Sequence, residues 1–113
     1  MKEIKAILRP EKVTPVVEEL VELGDLPGVT IGPVQGFGQG RWRDDPEKIL
    51  EGTLAYVRRL KLEIVVPDDR VAEVVECIAR VARTGSPGDG KVWVIPVEET
   101  INIRTGERGG GPR

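Results

Sequence analysis

Gly88-Asp89-Gly90-Lys91 is the stretch of this sequence best equipped for chemistry. Two glycines in a tight turn let several backbone N–H groups aim at one point, and a lysine beside them adds charge, an arrangement that suits a phosphate. The string lacks the full Gly-x-x-x-x-Gly-Lys-Ser/Thr spacing, so alone it reads as a plain turn before a strand. Gly36-Phe37-Gly38 forms a second glycine-rich junction, and Arg104-Thr105-Gly106 sets a cation near the C-terminus. The rest of the chemical repertoire is narrow. There is no His, and Cys77 is the only cysteine, which removes zinc clusters, Cys/His nucleophilic pairs, imidazole bases and disulfide frameworks together. No catalytic residue and no metal site is assigned, and the chain is not expected to be an enzyme.

These residues sit in a chain of 113, a length that supports one domain spanning 1–113. Lys plus Arg number 17 against 19 Asp plus Glu, a net charge of -2, which argues against a general grip on nucleic acid or an acidic membrane. No apolar run approaches about 18 residues. The opening Met1-Lys2-Glu3-Ile4 does not resemble a signal peptide, so a soluble, cytoplasmic protein is expected.

The elements that must position the glycine-rich turns read as follows. Ile4 to Arg9 alternates as a strand, with Ile4, Ala6 and Leu8 on one face and Ile7 on the other, and Pro10 ends it. Thr14 as N-cap and Pro15 at the first helical position predict a helix carrying Val16, Val17, Leu20 and Leu23 until Gly24. An extended segment follows from Val29 to Gly36. The second half repeats the order. Leu60, Leu62, Ile64 and Val66 face inward on a strand, and Pro67-Asp68-Asp69 supplies a stop and an N-cap. The next helix carries Val71, Val74, Val75 and Ile78, each 58 positions after Val13, Val16, Val17 and Leu20. A last strand covers Lys91 to Val97. Two tandem βαβ units predict an α+β, ferredoxin-like βαββαβ sandwich, one antiparallel sheet with both helices on one face.

Two features exceed what that fold needs. The link from Gln39 to Tyr56 is long, about 18 residues, and highly charged, the kind of connection that is either functional or disordered. The sheet's helix-free face carries Ile7, Val34, Val65, Trp93, Ile95 and Val97, and leaving these wet forgoes roughly 1.5 to 3 kcal/mol for each large side chain. An exposed patch of that size predicts a homo-oligomer built over the open face, with composition not choosing between two and three chains.

Taken together, the strings resemble a family. Arg9-Pro10, Gly36-Phe37-Gly38 before a charged loop, Lys61-Leu62-Glu63-Ile64-Val65-Val66, Thr84-Gly85-Ser86-Pro87-Gly88-Asp89-Gly90-Lys91 and Ile103-Arg104-Thr105-Gly106 look like the PII nitrogen-regulatory signalling proteins. The resemblance spans almost the whole chain. It implies a cytoplasmic homotrimer of ferredoxin-like subunits with ATP or ADP bound between subunits. It names 39–56 a T-loop that docks onto a target protein, whether transporter, enzyme or regulator, 84–91 a B-loop, and 102–113 a C-terminal loop with a flexible tail. Carried over by residue, Ile7 and Val65 would sandwich the adenine, with Thr30 bonding the base and Glu63 nearby. Gly36, Phe37 and Gly38 would let the loop approach the nucleotide, and Gly88, Asp89, Gly90, Lys91 and Arg104 would cradle its phosphates.

Departures from that pattern bear on the other effectors. Gly52 stands where many members carry a uridylylated tyrosine, and Leu50 where others carry a phosphorylated serine, so neither modification is expected. Gly40 takes the place of a glutamine that helps hold Mg²⁺ and 2-oxoglutarate, with Gln39 adjacent. Arg59 stands for a lysine that contacts 2-oxoglutarate, and Asn102 for a phosphate-binding arginine. The resemblance thus admits Mg²⁺ and puts the response to 2-oxoglutarate in question. Arg41, Trp42 and Arg43 form a partner-binding candidate, since Trp and Arg dominate interface hot spots, and Trp42 could equally pack over the loop base. Tyr56 reads as a packing aromatic, Cys77 as a buried small hydrophobe, and Gly106 to Arg113 as a disordered end. A CutA-like trimer tied to metal tolerance and a small ferredoxin-like enzyme are the competing readings.

Overall fold

A computed structural model describes residues 1–37, 48–51 and 54–109. Five strands and two helices follow the order β1 (Lys2–Leu8), α1 (Pro10–Leu23), β2 (Thr30–Phe37), β3 (Ile49–Glu51), β4 (Leu54–Val66), α2 (Val71–Ala82) and β5 (Gly90–Pro96), with a 3-10 turn at Asp68–Arg70 before α2. The sheet order is β2-β4-β1-β5, antiparallel throughout, with β3 also paired to β4. This is the expected ferredoxin-like arrangement. The core lies between the sheet and the helices: Ile4, Ala6, Leu8, Leu62, Ile64 and Val66 from the strands meet Val13, Val16, Leu20, Val74, Cys77 and Ile78 from the helices. The 58-residue echo is therefore physical, since Val16 and Leu20 of α1 and Val74 and Ile78 of α2 are all buried.

Element boundaries differ from expectation for identifiable reasons. The first helix starts at Pro10, four residues before Thr14, and Pro15 lies inside it. Burying Val13 in line with Val16 and Leu20 requires helical geometry from the first turn, where Pro10 sits with its ring pre-set for the N-terminus. Pro15 deprives the Glu11 carbonyl of its amide partner, and both residues are exposed, where water can reach. Asp68 and Asp69 do not cap α2. Asp68 instead lies 2.9 Å from the Met1 amino group and 3.3 Å from Lys2 Nζ, tying β1 to the turn. Hydrogen bonds from the amino terminus and Lys2 hold the Asp68 carboxyl below the usual range, outweighing the opposing effect of burial.

Strand pairing enters the segment 39–56. β3 and the first residues of β4 pair as Ile49 with Tyr56 and Glu51 with Leu54, so the interval 49–56 is mostly strand. Tyr56 pairs with Phe37 across β2 as well, and their rings lie 5.2 Å apart, which makes Tyr56 the buried packing aromatic expected of it. At the other end, residues 106–109 are held. Asn102 N donates to Glu107 O, Gly106 N to Asn102 O and Gly109 N to Thr100 O, closing a small hairpin, while 110–113 of the end expected to be disordered lie outside the described residues.

The open face of the sheet is mixed, not continuously apolar. Strand register arranges it in rungs: Val65, Glu3 and Ile95; then Thr30, Glu63, Lys5 and Trp93; then Gly32, Lys61, Ile7 and Lys91; then Val34 and Arg59; then Gly36 and Val57. Charges run through the middle, with Lys5 Nζ 3.6 Å from Glu63 and 3.9 Å from Glu3, and Lys61 Nζ 3.3 Å from Glu63. Apolar residues therefore flank an ion-paired centre. Val94, on the helix side, is still 40 % exposed because β5 is the sheet edge and α2 covers it little.

One glycine tests the close packing of β5 against β1. Gly90 has φ 105°, and a Cβ there would stand 1.8 Å from the Ile7 carbonyl oxygen. Gly90→Ala is expected to cost at least about 2 kcal/mol, combining a left-handed backbone with a backbone clash. Urea unfolding of the two proteins measures this, and a loss below about 0.5 kcal/mol would contradict the approach seen here.

Candidate functional site

The turn between α2 and β5 is organised around one carboxylate. Asp89 Oδ2 accepts from the Thr84 and Gly85 amides at 2.8 and 2.9 Å, and Oδ1 accepts from the Thr84 hydroxyl and from Arg9 Nε at 3.3 Å. Positive φ at Gly85 and Gly88, 88° and 92°, lets the chain bend tightly around it. Burial pushes the Asp89 carboxyl up, yet the hydrogen bonds from Thr84, Gly85 and Arg9 together outweigh it and hold the group well below the usual carboxylate range. The Asp89 side chain thus faces its own loop.

Two arginines brace the same turn from the sheet. Arg9, at the end of β1 and 6 % exposed, donates from Nη2 to the Pro87 carbonyl at 2.7 Å in addition to its bond with Asp89. Arg59 of β4, 2 % exposed, donates from Nη2 to the Gly88 carbonyl at 3.2 Å and from Nη1 to the Arg58 carbonyl at 2.8 Å. Sequence reading placed Arg59 beside 2-oxoglutarate and gave Arg9 no role. The available signal was positional: 9 and 59 fall on the open-face parity of their strands, where a buried arginine needs carbonyl or carboxylate partners. Only strand pairing shows that both reach the same turn.

The braced turn forms one wall of a cleft of about 650 Å³, a size ordinary for small-molecule sites. Ile7, Val34, Gly36, Arg59, Trp93 and the residues from Ser86 to Lys91 line it. The structure therefore brings together Ile7, Gly36, Gly88, Asp89, Gly90 and Lys91 from the expected set, and adds Trp93, half-exposed on the rung beside Ile7. Phe37 lies next to Gly36 but packs on Tyr56. Thr30, Glu63 and Val65 do not line the cleft. They occupy the first two rungs, and Val65 is level with Glu3, four residues or about 13 Å along β1 from Ile7. Within one chain Ile7 and Val65 cannot clasp a single base. Burial opposes ionisation of Glu63, but its lysine neighbours Lys61 and Lys5 hold its carboxyl below the ordinary value.

Arg104 also stands apart, exposed at the tip of the 100–109 hairpin, where Asn102 Oδ1 accepts from Thr105 N at 3.2 Å and fixes the turn. Gly38, Gln39, Arg41, Trp42 and Arg43 lie outside the described residues, as do Gly40 and Gly52. Among the described residues, no group of three or more His, Cys, Asp or Glu side chains could hold a metal ion. No described helix is long and apolar enough to cross a membrane.

The model of the family described as Nitrogen regulatory protein P-II matches residues 1–107. The chain belongs to the P-II family. Proteins named Nitrogen regulatory protein P-II from Nostoc punctiforme and Microchaete diplosiphon are 44 % and 43 % identical over 108 residues, covering 96 % of both chains. The protein of that name from Azospirillum brasilense is 40 % identical over 110 residues, 97 % of each chain. P-II membership places the chain among regulatory signalling proteins and gives the CutA-like reading no support.

The Asp89 network carries a pH signature. The fold favours the carboxylate, so its contribution is complete at neutral pH and is lost as pH falls through the ordinary carboxylate value of about 4 toward the lower folded one. The Thr84 and Gly85 amide resonances are expected to stay constant from about pH 7 to 5 and to move only below about 4. In Asp89→Asn they should not titrate. A midpoint above about 5 would contradict the network.

Proposed function

We propose that this P-II chain is an adenine-nucleotide sensor that assembles as a homotrimer and regulates a target protein through the segment 39–56. The observation that carries the reading is the cleft beside the 84–91 turn, where Gly36, the backbone of 88–90 and Lys91 surround a space floored by Ile7 and Trp93. A lysine, glycine-rich backbone and an apolar floor together suit a phosphorylated aromatic ligand. ATP or ADP fits that description.

The trimer supplies what one chain lacks. Thr30, Glu63 and Val65 are too far along the sheet to meet a base resting on Ile7, so in this reading they reach it from a neighbouring subunit, and Arg104 joins the phosphates from its projecting hairpin. Apolar residues at the ends of the open face then meet across chains while the ion-paired centre stays in place. A site shared by two chains couples binding to assembly, so nucleotide strengthens the trimer and the trimer strengthens nucleotide binding. The partner surface comprises Arg41, Trp42 and Arg43, ahead of the β3–β4 hairpin, and the whole is placed in the cytoplasm.

Mg²⁺ and 2-oxoglutarate take a secondary place. Their candidate contacts are Gln39 and Arg59, and Arg59 already donates to two backbone carbonyls.

Calorimetric titration tests the site. Lys91→Ala and Arg104→Ala are each expected to weaken ATP binding by at least about tenfold, the loss of one charge-assisted phosphate contact. Unchanged affinity in both would end the assignment. The same titrations with Mg²⁺ and 2-oxoglutarate added decide their place, since a co-effector must raise ATP affinity to count.

A further inference from the structure

The two arginines behind the 84–90 turn also determine what its front presents. A planar peptide unit points its carbonyl and its amide in opposite directions. Arg9 holds the Pro87 carbonyl and Arg59 holds the Gly88 carbonyl. The other ends of those two units, the amides of Gly88 and Asp89, therefore face away from the arginines. Gly88, with φ 92°, is the residue between the two planes. No backbone hydrogen bond among the described residues takes either amide. Both residues line the cleft beside Lys91.

We propose that Arg9 and Arg59 are positioning residues for an oligophosphate: each turns an amide of the 88–89 pair into the cleft by holding the carbonyl behind it, Arg59 from the cleft wall itself. This rests on the reading of the cleft as a nucleotide site. Arginine suits the task because its planar fork of donors bonds a carbonyl and a second group at once, as Arg9 does with Pro87 and Asp89. A lysine keeps the charge but not that geometry. Asp89 completes the device by fixing Arg9 on one side and the Thr84 and Gly85 amides on the other.

Charge and geometry make opposite predictions, which permits a clean test. Full-length wild type, Arg9→Lys, Arg59→Lys and Asp89→Asn are titrated with ATP, tripolyphosphate and adenosine, with thermal unfolding checked for each. Both lysine variants keep the positive charge, and Asp89→Asn removes a negative charge beside the anion, so the electrostatic field alone would leave binding unchanged or tighten it. Positioning predicts that all three weaken ATP and tripolyphosphate by about fivefold or more while adenosine changes by less than about twofold. Unchanged tripolyphosphate affinity in both lysine variants, tighter binding in Asp89→Asn, or an equal loss for adenosine would overturn the proposal. If Arg9→Lys does not fold, Arg59→Lys decides it by the same readings. Wild type that binds tripolyphosphate but not ATP would sink the nucleotide reading and leave this inference to be judged on tripolyphosphate, and wild type that binds neither would end both.

Discussion

The bond between Arg9 and Asp89 joins the end of the first strand to the turn before the last one, and the cleft depends on it. β1 and β5 are neighbours in the sheet, and Gly90 already presses against the Ile7 backbone. That contact fixes where β5 begins. It leaves the six residues before it, 84–89, free to adopt many shapes unless something holds them, because a turn with several glycines has much conformational entropy to lose. The Asp89 carboxylate gathers Thr84 and Gly85 from within, and Arg9 anchors it to the sheet. A flexible connection is thereby held as one wall of the cleft, so less ordering would remain to be done by a ligand bound there.

A second constraint follows from strand register. Thr30, Glu63 and Val65 lie toward one end of the sheet face and Ile7 with the 84–91 turn toward the other, with the Lys5–Glu63 and Lys61–Glu63 ion pairs between Val65 and Ile7. A rigid sheet cannot bring its two ends together. If both groups serve one ligand, they belong to different copies of the chain. In that arrangement the assembly is part of the site, and a change in the bound nucleotide is felt at a subunit boundary. The β3–β4 hairpin rises from the same sheet next to Phe37 and Gly36, so strain at the cleft has a short structural route to the segment 39–56.

Much of this was legible in the sequence and some was not, for reasons that particular residues make clear. Alternation in Ile4, Ala6 and Leu8 and in Leu62, Ile64 and Val66 has a single burial solution, and the repeated stripe of Val16, Leu20, Val74 and Ile78 fixes two helices on one side. Those are local periodicities. The start of α1 was less legible, because Pro10 and Pro15 both satisfy the rule for a first helical residue, and only the need to bury Val13 separates them. The open face read as apolar because Ile7, Val65, Trp93 and Ile95 stand out one by one. Its charges lie on three strands and pair only once the register is known. Arg9 and Arg59 were hidden in the same way, 50 positions apart in the chain and meeting at one turn. Glycine-rich strings announced where the cleft would be, while the side chains that hold it in shape came from long-range pairing.

The central claim is that the adenylate site is completed between copies of the chain. Native mass spectrometry of the purified protein, with and without ATP, tests it most directly. The account predicts a three-chain species that binds up to three nucleotides and resists dissociation better when they are bound. A single chain that binds ATP with full affinity, or a three-chain species whose stability is indifferent to ATP, would contradict it.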